Sequence, residues 1–548
     1  MARRTPTPPP TSTYQLAVQH TTCASCGTPL YIAHHTHRTI RRLDGVWRLT
    51  MPHMRCLNSH CASFRKLCRP EEEGAWALPH GEFGFDVIAL VGQHRSLPEI
   101  HQELCARGVV IAERTVTNLL ARYEELVALR LTDTDVLRQR FLPQGQIILG
   151  IDGLKPDVGH EVLWVLRDCL SGEVLLARSL LSEAEEELVA LLQEVQALVP
   201  VPIIGVISDG QIGLRHAVAK ALPNIPHQLC QHHYLREAAK PIYEADRHAK
   251  KDLKALVRDI RPVERLMEQV LAHQPEITPA YMRGLSEEEA RIVQDYCLAV
   301  RSALTDDGQP PLCAAGLRLQ ERLTKIAASL QQAMLSGGSN WRLVYALERV
   351  QRSIQRGLTH IAARWPPIQT AYALVFRAVH ILNNEEHVSA VEVRRRYGQV
   401  LHEMQDALTS PGTDALVQAW YTTFLKVTAS YGEALFWCYD HPDLPHTNND
   451  LEHLFGSLHY HERRASGRKQ VAPTLLLRGQ ARVLASVSTR LRTYWATDLF
   501  PSDLARWRSL RNALDGRQET RGQQRRFRQN PQCYLLALEE RCEQVTRH

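Results

Sequence analysis

The chain has 548 residues, 44% of them hydrophobic and 23% charged, with a formal net charge of +6. This is an ordinary globular composition with room for three or four domains. It excludes a membrane-spanning helix, since no stretch approaches the ~20 apolar residues that such a helix needs.

The basic side is lopsided, with 55 Arg against 10 Lys. Guanidinium forks match phosphate oxygens in pairs, so the bias suits a nucleic-acid binder; a genome rich in G and C would write the same bias. The N-terminal "MARRTPTPPPTSTYQ" has basic residues but no apolar core, so it does not read as a secretory signal. Thirteen cysteines, an odd number scattered along the chain, argue for a reducing cytosol rather than a disulfide framework.

In chain order, residues 1–20 are Pro/Thr-rich and read as a disordered tail. Residues 21–68 hold two cysteine pairs, Cys23 with Cys26 and Cys56 with Cys61. Between them lies a basic hairpin pattern turning at Asp44-Gly45. Four thiolates on two knuckles give a closed structural zinc site, a zinc ribbon. His53 or His60 could replace one cysteine as ligand. Arg38, Arg41, Arg42 and Arg48 make the hairpin either a DNA-contacting ribbon or a solvated basic face. Residues 69–82 read as a linker.

Residues 83–131 predict three helices. Ser96 caps the second in a capping box with Glu99, Pro98 sits in its first turn, and Gly108 ends it. The third starts near Ala112. This is helix-turn-helix grammar, with Glu113, Arg114, Thr117 and Asn118 facing the major groove over a core of Ile100, Leu104, Val116, Leu119 and Leu120. A small three-helix bundle of another purpose writes a similar pattern.

From 143 to 240 short buried-strand runs appear. "IILGID" delivers Asp152 and "IIGVISD" delivers Asp209, each followed by a glycine where the backbone is expected to turn. "HEVLWVLRD" and "GEVLLARSLL" predict a hairpin, followed by an amphipathic helix opened by Ser182 with Glu185 in a capping box. Residues 241–440 predict helix after helix, 441–500 a further helical segment, and 501–548 an Arg-rich C-terminal appendage. Two strand-end aspartates can share hard divalent ions such as magnesium. A third acid must come from elsewhere; Asp157, Glu161, Asp168, Glu244 and Glu452 are candidates, Glu244 as runner-up to Glu452.

Two blocks carry a resemblance. "SDGQIGLRHAVAKALPNIPHQLCQHHYLREAAK" resembles the second-aspartate block of the Mutator-like and related bacterial insertion-sequence transposases, with Asp209-Gly210, Pro223, Cys230 and His233 in place. "TNNDLEHLFGSLHYHERRASGRK" resembles the block bearing the third acid, where Thr447, Asn448 and Asn449 lead to Glu452. The resemblance covers roughly residues 143–500. It implies an α/β RNase H-like catalytic core with a mixed five-stranded sheet, interrupted by a large all-α insertion, in a chain predominantly helical overall. Asp152, Asp209 and Glu452 then form an Asp-Asp-Glu site for two magnesium or manganese ions. Arg463, Arg464, Arg468 and Lys469 meet the DNA backbone, and Cys230 and His233 support the site rather than bind a metal. Trp341, Trp365 and Trp437 are candidates to stack on DNA.

The implied activity is cleavage and strand transfer at insertion-sequence ends. Its partners are double-stranded DNA, both element ends and target, and further copies of the chain in a dimer or higher oligomer; no membrane is involved. The implied location is the bacterial cytoplasm, on the nucleoid. An RNase H-like nuclease or resolvase without strand transfer, and a non-catalytic domesticated DNA-binding regulator, are the rival readings.

Overall fold

The computed structural model describes residues 8–93, 95–154, 161–180, 183–274, 276, 278–305, 313–336, 340–466, 472–501 and 503–546. Helix dominates, at 63%. The chain forms two compact units, residues 1–227 with 448–548, and residues 228–447. Among the described residues no helix is long and apolar enough to cross a membrane.

The first unit opens with a small sheet: β1 (Ser12–Gln15), β2 (Tyr31–Arg42), β3 (Gly45–Arg55) and β4 (Leu67–Cys68). β2 and β3 form the expected antiparallel hairpin, but Arg42 pairs with Gly45, so the turn residues are Leu43 and Asp44 rather than Asp44-Gly45. The tail reading of residues 1–20 is corrected over its second half. β1 pairs parallel with β3, Ser12 opposite Trp47, and Leu16 is buried. Thr13 and Tyr14 favour a pleated edge, a local preference that the neighbouring prolines mask in composition.

The linker reading of 69–82 is also corrected. This segment includes the short helix α1 (Glu73–Trp76), and Ala77 and Leu78 are buried. Its acids hold the sheet: Glu72 accepts from Tyr14 Oη at 2.7 Å and from the Ala17 amide at 2.7 Å. Arg38 Nη1 donates to Glu73 at 2.8 Å, and its other nitrogen serves the Leu78 and Gly81 carbonyls. Arg41 is buried and donates to the Val110 carbonyl, and Arg42 lies over the Trp76 ring. Of the four hairpin arginines, Arg48 alone is fully exposed. The others turn inward because partners thirty or more residues away, an acid, carbonyls and a ring, satisfy them, which spacing along the strand does not reveal.

Three helices follow: α2 (Phe85–Val91), α3 (Leu97–Ala106) and α4 (Glu113–Leu131). The Ser96–Glu99 capping box is present on both arms, with Pro98 in the first turn. Ile100, Leu104, Val116 and Leu119 are buried as expected, and Leu120 packs against the same core. α5 (Thr134–Gln144) is capped by Asp133.

The second sheet consists of β5 (Ile147–Leu154), β6 (Val162–Asp168), β7 (Val174–Leu180), β8 (Ile203–Ser208) and β9 (His227–Leu229), in spatial order β7-β6-β5-β8-β9. β5, β6 and β7 run antiparallel in sequence, and β8 lies parallel to β5. The central strands are apolar on both faces because helices cover both. α5, α6 (Glu185–Leu198) and α7 (Ile212–Ala221) pack on one face. α6 starts at Glu185 with Ala184 as its cap residue, and Ala184 supplies no side-chain cap bond. The expected cap at Ser182 lies outside the described residues. Gly153 does not turn the chain as expected: β5 continues through it to Leu154. A Cβ at Gly153 would meet Val162 Cγ1 at 3.0 Å and Trp164 at 3.3 Å, so the glycine serves close packing between strands.

The second unit is a helical assembly: α8 (Gln231–Ala238), α9 (Lys240–Leu256), α10 (Arg261–Leu271), α11 (Glu287–Thr305), α12 (Ala315–Ser336), α13 (Trp341–His360), α14 (Trp365–Asn383), α15 (Ala390–Thr409), α16 (Ala415–Tyr431) and the single turn α17 (Trp437–Asp440). One apolar core threads its long helices, including Leu253, Leu323, Leu347 and Phe424. Each such fully buried side chain contributes roughly 1.5–3 kcal/mol. The neck of this unit is stitched by two glutamines. Gln228 and Gln231 both donate to the Leu435 carbonyl, at 3.1 and 2.9 Å, and the Cys438 amide donates to Gln228 Oε1 at 2.9 Å. The Gln231 amide donates to the His446 carbonyl at 3.0 Å. The two ends of a long excursion are therefore tied together.

The chain re-enters the first unit with α18 (Asn449–Ser466), α19 (Ala472–Leu491), α20 (Leu504–Gln529) and α21 (Pro531–Thr546). α19 packs on β6 and β7 and also on α4. Between α4 and α19 lies a buried ion cluster. Glu124 accepts from Arg478 at 3.0 Å and from Arg482 at 2.7 Å; Glu125 is reached by Arg122, by Arg478 at 3.2 Å and by Trp507 Nε1 at 3.1 Å. Residues 501–548, expected as an appendage, start within this core, since Trp507 and Leu514 are buried in it.

Candidate active site and metal centre

The four cysteines come together. Cys23 and Cys61 sulfurs lie 3.7 Å apart, as do those of Cys26 and Cys56, and all four lie within 4.8 Å of one another. A tetrahedral zinc with ~2.3 Å bonds to sulfur requires edges of ~3.8 Å, so the donor set and its spacing fit a structural zinc. Neither histidine replaces a cysteine: His53 is buried and bonded to Thr36 Oγ1 at 2.7 Å, and the cluster is complete without His60. We expect the purified protein to carry one zinc per chain, and Cys56→Ser to lose it and to make residues 21–68 protease-sensitive. Metal analysis with limited proteolysis checks this. A zinc-free wild type with the same resistance would count against it.

The acids on the second sheet are placed by strand register. Gly150 on β5 stands beside Ile207 on β8 in the parallel pair. Asp152 and Asp209 each lie two residues further on, so neighbouring strands deliver them to the same edge. Asp209 Oδ1 accepts from the Gln211 amide at 3.2 Å, at the N-terminal end of α7, where a helix favours a carboxylate. Asp152 Oδ1 accepts from its neighbour, the Gly153 amide, at 2.8 Å.

Glu452 arrives on α18, whose start is pinned to β5. Asn448 is buried, and its Nδ2 donates to the Ile151 carbonyl at 2.9 Å, one residue before Asp152. Arg167 on β6 donates to Asp450 at 2.9 Å. The backbone at Gly150 leaves room for this: an added Cβ would meet Cys169 Sγ at 2.9 Å and Asn448 Oδ1 at 3.4 Å. Glu452 follows Asn448 by about one helical turn.

The electrostatic consequence falls on Asp152. Burial first, then the charge of Asp209, then that of Glu452 push its carboxyl up to about 7, against a partial opposing pull from the Gly153 amide. Three acids far apart in sequence thus act on one another. They do not close as tightly as the sulfurs: among the described residues, the four cysteines are the one group of three or more such side chains close enough to share an ion as they stand. Like charges repel unless cations lie between them.

The rival acids go elsewhere. Asp168 is fully buried and accepts from the Ile148, Leu170 and Ser171 amides and from Gln144, so it is a turn residue. Glu161 pairs with Arg517, Glu244 belongs to α9 of the helical unit, and Asp157 lies outside the described residues. Cys230 is fully buried at the start of α8 with His233 half-buried one turn on, and they join no metal-type cluster among the described residues. Asn449 is the first residue of α18.

Arg114, Thr117 and Asn118 are exposed together on the first turns of α4. Arg463 and Arg464 fall on α18, but their side chains, and Arg468 and Lys469 entirely, lie outside the described residues. Trp365 is buried in the helical core, which removes it as a stacking candidate, whereas Trp341 and Trp437 keep exposed area. Sequence reasoning missed Arg167, Asp450 and the neck glutamines; a lone Arg or Gln in an apolar run was the available signal.

The first unit thus combines an α/β sheet that brings two aspartates to one edge, a four-cysteine cluster that could hold a metal ion, and a three-helix segment. Residues 174–298 match the family model described as "Transposase, Mutator family". Over that segment the chain is similar to Mutator-family transposases. The segment contains Asp209, Cys230 and His233, while Asp152 and Glu452 lie outside it. The comparison with curated proteins gives no match.

Proposed function

We propose that the protein is a DNA transposase with an RNase H-like catalytic core, acting through Asp152, Asp209 and Glu452 on the ends of an insertion sequence. The sheet order supports the core assignment: Asp152 is on the first strand and Asp209 follows the fourth, which lies parallel to the first. The observation that carries the reading is the Asn448–Ile151 bond, which docks the helix of Glu452 against the strand of Asp152 after a long helical excursion.

The donor set fits hard divalent cations. It is all carboxylate, and burial, followed by the charges of Asp209 and Glu452, pushes the Asp152 carboxyl up, an environment that positive charge would relieve. Bound there, two magnesium or manganese ions would supply Lewis-acid activation of a water or 3′-hydroxyl and neutralise the leaving oxygen. The three carboxylates hold that charge at the sheet edge, and Asn448 with the Arg167–Asp450 pair orients the third. The helix-turn-helix face of Arg114, Thr117 and Asn118 reads sequence, and Arg463, Arg464, Arg468 and Lys469 meet phosphates. Joining two ends in one complex calls for a dimer or higher oligomer.

The test is strand transfer with pre-cleaved element ends and magnesium. Joined products are expected. Nicking without joining would transfer the reading to a nuclease or resolvase, and binding without either would leave a regulator. Asn448→Ala tests the positioning role. It should raise the magnesium concentration for half-maximal cleavage by about 10–100-fold, the usual effect of losing a residue that orients a ligand. A fall in rate at unchanged metal requirement would argue for a purely structural role.

A further inference from the structure

The second half of α20 carries three arginines, Arg521, Arg525 and Arg528, that meet no acid among the described residues. Residues 517–529 hold five Arg and one Glu. At 3.6 residues per turn, Arg517, Arg521, Arg525 and Arg528 fall within ~80° of one another around the helix, a single stripe. Arg526 points off this stripe and lines the cleft between α20 and α21.

Only the root of the stripe is paired: Arg517 meets Glu161. Arg521 is half-buried and Arg525 and Arg528 are exposed, and these three have no acidic partner among the described residues. Exposed cations elsewhere on long helices divide: Arg291 finds Glu287 and Lys325 finds Glu321, while among the described residues Arg247 and Arg265 find no acid. What sets the stripe apart is its neighbours along the helix. The positions three and four away from Arg521, Arg525 and Arg528 hold Arg, Gln, Gly or Pro, never Asp or Glu. Arg521 and Arg525 each have another Arg four residues before them, and such like-charge pairs weaken a helix. A folded helix that keeps this repulsion has its opposite charge outside itself.

We propose that the Arg521–Arg525–Arg528 stripe is a contact for the phosphate backbone of duplex DNA, independent of base sequence. At ~1.5 Å rise per residue the stripe from Arg517 to Arg528 is ~16 Å long. A duplex presents a charge every ~1.7 Å of its axis, so several phosphates face such a stripe at once. The residues between offer glutamine amides rather than acids. The proposal rests on the transposase reading for its partner and adds an anchoring surface on the C-terminal helix, apart from the α4 face and the α18 basic run.

The test compares wild type with the triple variant Arg521→Gln, Arg525→Gln, Arg528→Gln, in the full chain, binding a short duplex of arbitrary sequence over a range of salt. Glutamine keeps helix propensity and removes like-charge repulsion, so the variant should fold at least as well. The slope of log affinity against log salt should become shallower by about 2.7, ~0.9 for each phosphate no longer neutralised, equally for element ends and unrelated duplexes. An unchanged slope in a wild type that does bind DNA overturns this proposal and leaves the transposase reading standing. A wild type that binds no duplex overturns both. Impaired self-association with an unchanged slope would assign the stripe to a second copy, whose α21 carries Glu539, Glu540 and Glu543, and overturn the DNA contact.

Discussion

Asp152→Asn should abolish metal-dependent DNA cleavage, lowering the rate by at least about 10³-fold, while duplex binding stays within about twofold. Removing a carboxylate from a two-metal site takes away both a ligand and the charge that holds the ions. The same variant makes a second, opposite expectation for stability. In the metal-free protein the Asp152 carboxyl titrates at about 7 when folded, against ~3.9 in an unfolded chain. Between those values the folded state binds a proton that the unfolded state has released. The stability contributed by this group is full below ~4 and is lost as pH rises through about 7. Asn cannot ionise, so the metal-free variant should be more stable than metal-free wild type at pH 8, by up to a few kcal/mol and with a higher melting temperature, and no more stable at pH 4. Magnesium should close the gap by stabilising wild type alone; a ligand at a hundredfold its dissociation constant contributes ~2.7 kcal/mol. Thermal melts at two pH values with and without magnesium read all of this. Cleavage within tenfold of wild type would remove Asp152 from the mechanism.

Glu125→Ala should destabilise the first unit by about 3–5 kcal/mol, the cost of breaking a buried ion pair by deleting one partner. Glu125 is 0% exposed and Glu124 4%, and between them they take up Arg122, Arg478, Arg482 and the Trp507 indole. Losing Glu125 takes the acid from Arg122 and one of two acids from Arg478, both largely shielded from water. The cluster also has a mechanical meaning: α4 shows Arg114, Thr117 and Asn118 at its start and is clamped to α19 at its middle. α19 lies on β6 and β7, beside the strand of Asp152. Loosening the clamp should therefore impair end-specific cleavage more than binding to unrelated duplex. Denaturant unfolding checks the energy. A loss below about 1 kcal/mol would show the cluster to be solvated.

Much of the second sheet was legible because its strands are short apolar runs, and apolar runs bounded by turn residues identify themselves. The α3 cap was legible for a local reason too, since Ser96 and Glu99 satisfy each other within one turn. The β1 strand was not, because edge pairing is decided by the neighbour and not by Thr and Pro content. The inward turn of Arg38 and Arg41 was hidden in the same way, since their partners lie 35 to 69 residues away.

By itself the sequence determined the local elements, the two cysteine pairs and the identity of the acids worth watching. These depend on residue type and on contacts within a few positions. That Glu452 comes near enough to act on Asp152, while Asp168 does not turn towards it, depends on tertiary structure. Asn448 finds the Ile151 carbonyl 297 residues away, and Asp168 spends its oxygens on its own turn. Long-range hydrogen bonds and buried charges have no period in sequence, because the free energy that selects them arises only once the chain has excluded water around them.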